Sequence, residues 1–301
     1  MLVIALTALS VQAIAAGSLQ LDGSRVSWES VSFRASKLFF SLDTEIGIAQ
    51  RPASDVVDSI IAPQTGVGVE LAPDLVQLDL GTDLLGRRND MILLVNAKTG
   101  EAVQRTTHES GNRHRHRVYR FTDIGAYHDT RKAANDDEEK LPRGRWPEWT
   151  NHSTGLYAYP EEAVGPMITE PGALLYIVGA ARLDKPGDYL EVLAYARKRV
   201  HRVHIDVDGL VDMRANYTRI ANGQSIEERG ERTALRLYIE GDTLGEGDPD
   251  DGFEMLGLRG KLELLIDPQT RAPLRLSGRA KIVGNVTLRA RKVVVATARN
   301  E

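Results

Sequence analysis

The strongest constraint on this chain is a two-residue hydrophobic period that returns in separate short blocks. Val31, Phe33 and Ala35 alternate with Ser32, Arg34 and Ser36, and Leu38, Phe40 and Leu42 alternate with Phe39, Ser41 and Asp43. The pattern returns at Val200 to Val207, at Leu235 to Ile239, at Leu262, Leu264 and Ile266, at Leu274 and Leu276, and at Val286, Leu288 and Ala290. Period two puts alternate side chains on opposite faces of a strand, so one face is buried and one is wet. Short turns join the blocks, and strands joined by short turns run antiparallel. The fold class expected is therefore mainly β, an antiparallel curved sheet or half-barrel meander with one or two short helices.

Local signals divide the chain further. The phase shift between Ala35 and Leu38 places a bulge or turn at Ser36-Lys37. Ser54 to Ile61 has helical spacing and is stopped by Pro63. Pro73 to Asp90 reads as loop-rich, with one short strand near Leu75 to Leu80. Met91 to Val95 and Ala102 to Thr107 flank a glycine-bearing turn, a hairpin, and Arg115 to Thr122 is a further strand. Asp123 to Thr154 carries an acidic run, two prolines and Gly144, and reads as one long excursion. Ala173 to Leu183 is apolar nearly all round. It reads as a buried helix capped by Thr169, with a core strand as the competing assignment. Residues 17–301 are expected to form one β-rich domain, or two halves joined near 123–170.

The N-terminus bears on compartment. Leu2 to Ala16 has no charge and ends in Ala13-Ile14-Ala15-Ala16-Gly17. A short apolar run followed by small residues is what signal peptidase reads, so residues 1–16 are expected to be a signal peptide, cut after Ala15 or Ala16. No Lys or Arg precedes the run, and a buried first strand or helix is the alternative. The expectation is a periplasmic protein with no transmembrane segment after the signal peptide. The chain has no cysteine, which excludes disulfides, thiolate metal sites and a cysteine nucleophile. Its 38 basic and 42 acidic residues are interspersed, so no nucleic-acid footprint stands out.

Three groups of residues are candidates for chemistry. His114 and His116 lie two apart on one strand face and can share a metal with His108 or Glu109, although neighbouring arginines oppose a dication. The alternative is a solvated basic hairpin. His201 and His204 are three apart, on opposite strand faces, which disfavours a shared metal. The acidic loop from Gly241 to Gly252 offers oxygen ligands for Ca²⁺ without EF-hand spacing, and a solvated turn explains it equally. Trp146, Trp149, Tyr157 and Tyr159 cluster around an irregular segment. They either lid an apolar or glycan ligand or pin the loop to the sheet. Nucleophile-elbow and phosphate-loop motifs are absent, and no cofactor is expected.

The second half also carries an ordered set of features: Ala173-Leu174-Leu175-Tyr176, the turn Lys185-Pro186-Gly187-Asp188, the strand Val200 to Val207, and the closing piece Gly260 to Leu276 with Asp267-Pro268-Gln269-Thr270 at its turn. Together these resemble bacterial periplasmic β-rich envelope proteins of unknown function, over roughly Glu170 to Val294, with weaker echoes at Val26 to Phe33 and Tyr119 to Gly125. The tryptophan usual before that closing hairpin is absent here. The resemblance implies a curved sheet distantly like the half-barrels of the lipoprotein-localisation carriers, which cradle lipid. The expected function is an exported binding or carrier protein for a lipid-like or other apolar ligand. The alternatives are an envelope assembly protein that binds another protein, and an envelope hydrolase.

Overall fold

The computed structural model describes residues 19–37, 40–84, 87–111, 114–245, 252–281 and 283–296. The proposed signal peptide lies outside these residues, as does most of the acidic loop between Gly241 and Gly252. The first half of the chain supplies β1 (Trp28–Lys37), β2 (Phe40–Pro52), β3 (Asp74–Leu84), β4 (Arg87–Asn96), β5 (Ala102–Ser110), β6 (Arg115–Phe121), β7 (Gly125–Lys132) and β8 (Asn151–Ala158). A two-residue strand, β9 (Ile168–Thr169), follows. The second half supplies β10 (Tyr189–Ala196), β11 (Arg199–Ala221), β12 (Gln224–Thr243), β13 (Glu254–Met255), β14 (Leu258–Ile266), β15 (Pro273–Ala280) and β16 (Gly284–Val295).

These strands form one sheet that curves into a ring, in the order β8-β7-β6-β5-β4-β3-β2-β1-β16-β15-β14-β12-β11-β10-β9. The expected mainly β, curved, largely antiparallel architecture is thus observed, with two parallel pairings added. β9 lies parallel to β10, and Thr218 to Ile220 of β11 lies parallel to Lys292 to Val294 of β16. The first and last strands pair, Val31 with Val293 and Phe33 with Ala290, so one sheet runs through both halves.

Three local expectations are corrected. Pro73 to Asp90 is mostly strand, because β3 is paired in register on both sides, with β2 and with β4. Ladder hydrogen bonds hold its polar end, Gly81 to Leu84, where side-chain pattern gives no signal. Asp123 to Thr154 is not one excursion. β7 and the start of β8 occupy most of its ends, and apart from Asp123 and Ile124 only 133–150 is non-strand. Ser54 to Ile61 makes two single 3-10 turns, Ala53–Asp55 and Val57–Ser59, neither with a side-chain cap. A helix this short cannot repay its nucleation cost. The segment is tied down instead by Gln104, which donates to Ser59 O and accepts from Ile61 N, both at 2.9 Å. A fourth expectation, a bulge or turn at Ser36-Lys37, is also corrected: both residues belong to β1, and Ser36 pairs with Ser41 and Lys37 with Phe40 in unbroken register.

The ring is filled from within. A 3-10 turn, Pro171–Ala173, leads into α1 (Leu174–Ala180), and every residue of α1 is buried. The cap is Glu170, whose carboxylate accepts from Gly172 N at 2.7 Å, while Thr169 donates to Gly100 O. Tyr176 donates to Ala97 O at 2.6 Å, so the helix sits against the β4–β5 turn. Gly100 in that turn has φ +74, and a methyl added there would lie 2.7 Å from Ile177. The last carbonyls of a buried helix need donors. Arg271, itself buried, donates to Gly179 O, Ala181 O and Leu183 O, and Arg25 also reaches Ala181 O. Asp184 pairs with both arginines.

Arg271→Met keeps the apolar stem and removes the guanidinium. Buried carbonyls left without donors are expected to cost about 2–4 kcal/mol, read as a lower urea midpoint. An unchanged midpoint would show that the helix end is satisfied in some other way.

Candidate functional site

α1 occupies the end of the ring near the β4–β5 and β14–β15 turns. Towards the other end the inner face stays open as a cleft of about 580 Å³. Its walls come from β3 to β6 on one side, and from the β10–β11 turn and the β13 region on the other. Leu80, Met91, Tyr119, Pro171 and Leu256 supply apolar surface, and Arg105, Arg117, Arg197 and Lys198 supply positive charge.

The electrostatics follow from the pairings. Arg105 meets Glu170 at 2.7 Å on the floor, both largely buried, and its guanidinium lies 4.2 Å from the Tyr119 ring centre. Glu109 sits between Arg115 at 3.6 Å and Arg117 at 3.7 Å. Glu254 pairs with Arg259 at 2.7 Å and Arg197 at 3.8 Å. Glu109, Glu170 and Glu254 are thus each engaged by arginine. Lys198 instead lies with Nζ 4.7 Å above the Tyr157 ring. Tyr157 stacks on His128 at 4.6 Å and on Tyr119 at 6.3 Å. Burial, together with Arg117 and Lys198, holds the His128 imidazole below its ordinary range, as cations nearby disfavour a further positive charge.

The turn that carries Arg197 and Lys198 is strained. Ala196 pairs with Arg199, so two residues make the whole hairpin loop, and both have positive φ, 50° and 69°. Such turns favour Asn-Gly because a side chain there meets its own backbone. Each non-glycine residue costs about 1–2 kcal/mol in this region.

The four aromatic candidates part company. Tyr157 lies beside the cleft, under Lys198 and against Tyr119. Tyr159 is buried on the filled side and lines a second cavity there. Trp146 and Trp149 are buried on the outer face, where segment 133–150 folds back over β5 and β6. Trp146 stacks between His114 at 5.1 Å and Trp149 at 4.8 Å. The indole N–H groups donate to Leu141 O and Glu138 O. Arg143 pairs with Asp90, and Arg131 donates to Pro147 O, so the segment is pinned at several points.

The three histidine candidates lie in this outer cluster. His108 and His116 are cross-strand partners with ring nitrogens 3.1 Å apart, and His114 Nδ1 is 3.0 Å from Glu139. That spacing makes the first two hydrogen-bond partners of each other. Among the described residues no three His, Cys, Asp or Glu side chains converge as a metal site would require. His201 is buried against Thr243 and Ala196 O, while His204 lies beside Glu191.

Sequence reasoning missed Arg105, Arg117, Tyr119, Arg197, Lys198 and Glu170. The available signal was Ala196-Arg197-Lys198-Arg199, a hairpin turn without Gly, Asn or Asp between two alternating runs.

Burial, with His108 beside it, pushes the His116 imidazole down to about 4 from an ordinary 6.5. Asp129 pulls the other way and Arg131 adds to the depression. Between those values the unfolded chain binds the extra proton and the folded chain does not, so stability falls as pH drops from 6.5 towards 4. Urea unfolding at about pH 7 and about pH 5 is expected to show a smaller loss for His116→Gln than for the wild type. Equal losses would place the titrating group elsewhere.

No protein-family model, no curated protein and no solved structure matches this chain.

Proposed function

We propose that this chain is an exported envelope binding or carrier protein whose ligand is an amphiphile with an acidic group, held in the open cleft. The acidic group meets Lys198, Arg197 and Arg117, and the apolar part lies along Tyr119, Met91 and Leu256. The observation that carries this reading is the Arg197-Lys198 turn. Two long cations stand where glycine would relieve backbone strain, and strain kept at a cleft mouth has functional meaning. The uncharged N-terminal run supports export, and the volume suits a small amphiphile. The wide apolar trough of a half-barrel carrier is taken up here by α1, which favours a short ligand over a long one.

The second reading, an assembly protein, rests on β8. That strand ends the sheet, and its residues 151–153 are exposed. An exposed edge can accept a strand from another chain. Crosslinking in intact cells that recovers a partner through β8 would favour this reading.

The double variant Arg197→Gly with Lys198→Gly separates strain from binding. Relief of two left-handed positions, less the added chain entropy of two glycines, is expected to stabilise the fold by about 1–2 kcal/mol. Calorimetric titration with decanoate is expected to show affinity reduced about tenfold, with decanol binding unchanged. Decanoate binding the variant as well as the wild type, or not binding the wild type, would overturn the reading. Native mass spectrometry of gently purified protein would then identify whatever mass is carried.

A further inference from the structure

A second cavity, of about 400 Å³, opens at the filled end of the ring, away from the cationic cleft. It is built where segment 67–69 lies along the end of β6. Val69 N donates to Phe121 O, Asp123 N donates to Val67 O, and Gly68 bridges Thr122. A methyl on Gly68 would lie 2.6 Å from the Arg120 guanidinium, so the close approach requires glycine. Val164, Gly165, Pro166, Ile168 and Tyr159 complete the walls.

The cavity differs from the cleft in two ways. Its rim carries exposed apolar side chains: Val67 is 72% exposed, Val164 47% and Ile124 37%, three of the few large hydrophobic residues left in water among the described residues. Apolar side chains grouped around a cavity mark a binding surface more often than scattered ones do. Its charged lining residues are all acidic: Glu70, Glu101 and Asp123, with no lysine or arginine among them. Glu70 and Asp123 lie at the exposed rim, and Glu101 is half-buried. Among the described residues none of the three has an ion-pair partner. Glu101 accepts a hydrogen bond from Asn96 at 3.3 Å, and burial pushes its carboxyl up. Arg120 acts on it from beneath. That guanidinium is committed to Val69 O at 2.6 Å, Val103 O at 2.8 Å and Phe121 O at 3.3 Å.

We infer that this cavity is a binding site for a small apolar amine, its protonated nitrogen beside Glu101 and the Asp123–Glu70 rim and its hydrocarbon against Val67, Ile124 and Val164. A cation restores to Glu101 the favourable partner that burial removed, and the apolar body covers surface that water now wets. An anionic ligand would meet three carboxylates, and a neutral one would leave Glu101 with only the Asn96 hydrogen bond and the Arg120 charge to offset its burial. The site does not depend on the reading given for the cationic cleft.

The test is calorimetric titration of the full chain with hexylamine, hexanol and hexanoate. Hexylamine is expected to bind about tenfold more tightly than hexanol, and hexanoate least of all. Glu101→Gln keeps the acceptor that Asn96 uses, and is expected to bring hexylamine down to the affinity of hexanol. Val164→Arg, at an exposed position, is expected to abolish hexylamine binding by filling the mouth and repelling the cation. The double variant in the cationic cleft is expected to bind hexylamine as the wild type does. Equal affinity for amine and alcohol, no binding of hexylamine, or binding that survives both Glu101→Gln and Val164→Arg would overturn the inference. The melting temperatures of both variants, compared with the wild type, separate lost binding from lost folding.

Discussion

Burial of α1 inside the ring organises the rest of the molecule. A curved sheet of this width leaves an interior that neither half can fill with strand side chains alone. The helix fills it at one end, and its backbone must then find donors away from water. Arg271 and Arg25 supply them at its C-terminal end, and Asp184 balances their charge. The Asp267 turn presents Arg271 at φ +60, held by the Asp267 carboxylate accepting from Gln269 N and Thr270 N. The β14–β15 hairpin is therefore both a strand connection and the cap of a helix far away in the sequence.

Filling one end dictates what the other can do. The cleft floor is the Arg105–Glu170 pair, and Glu170 is also the residue that caps the turn before α1. Placement of the helix and placement of the cleft charges are thus one event. A buried ion pair contributes little net stability once desolvation is counted, so its value here is positional. It fixes Arg105 beneath Tyr119 and keeps the aromatic stack of Tyr119, Tyr157 and His128 facing the strained Arg197-Lys198 turn.

The two faces of the sheet have separate roles. On the inner face, alternate residues of β5 and β6 line the cleft: Arg105, Thr107 and Glu109, with Arg117 and Tyr119. One residue along, His108 and His116 face outward under Trp146. Strand geometry alone makes this division, because a shift of one residue moves a side chain to the other face. The aromatic group read from the sequence as a single cluster is distributed over three places for the same reason. Tyr157 and Tyr159 share strand parity yet lie at different ends of the ring, and the tryptophans lock the outer segment.

The sequence by itself determined the sheet. Period-two blocks with short turns specify a mainly β, largely antiparallel sheet, and the apolar run after Glu170 could only be buried, because it has no wet face to offer. It also determined the Asp267 and Gly100 turns, whose residues carry local backbone preferences. Only the tertiary structure decided where the helix sits, that β1 pairs with β16, and that Gly81 to Leu84 is strand. Those outcomes depend on partners distant in sequence, and no local pattern encodes a ladder partner. The cleft and the acidic cavity belong to the same class. Arg105, Glu170 and Lys198 are unremarkable where they stand in the chain, and become a site only when a curved sheet brings their strands around a common space.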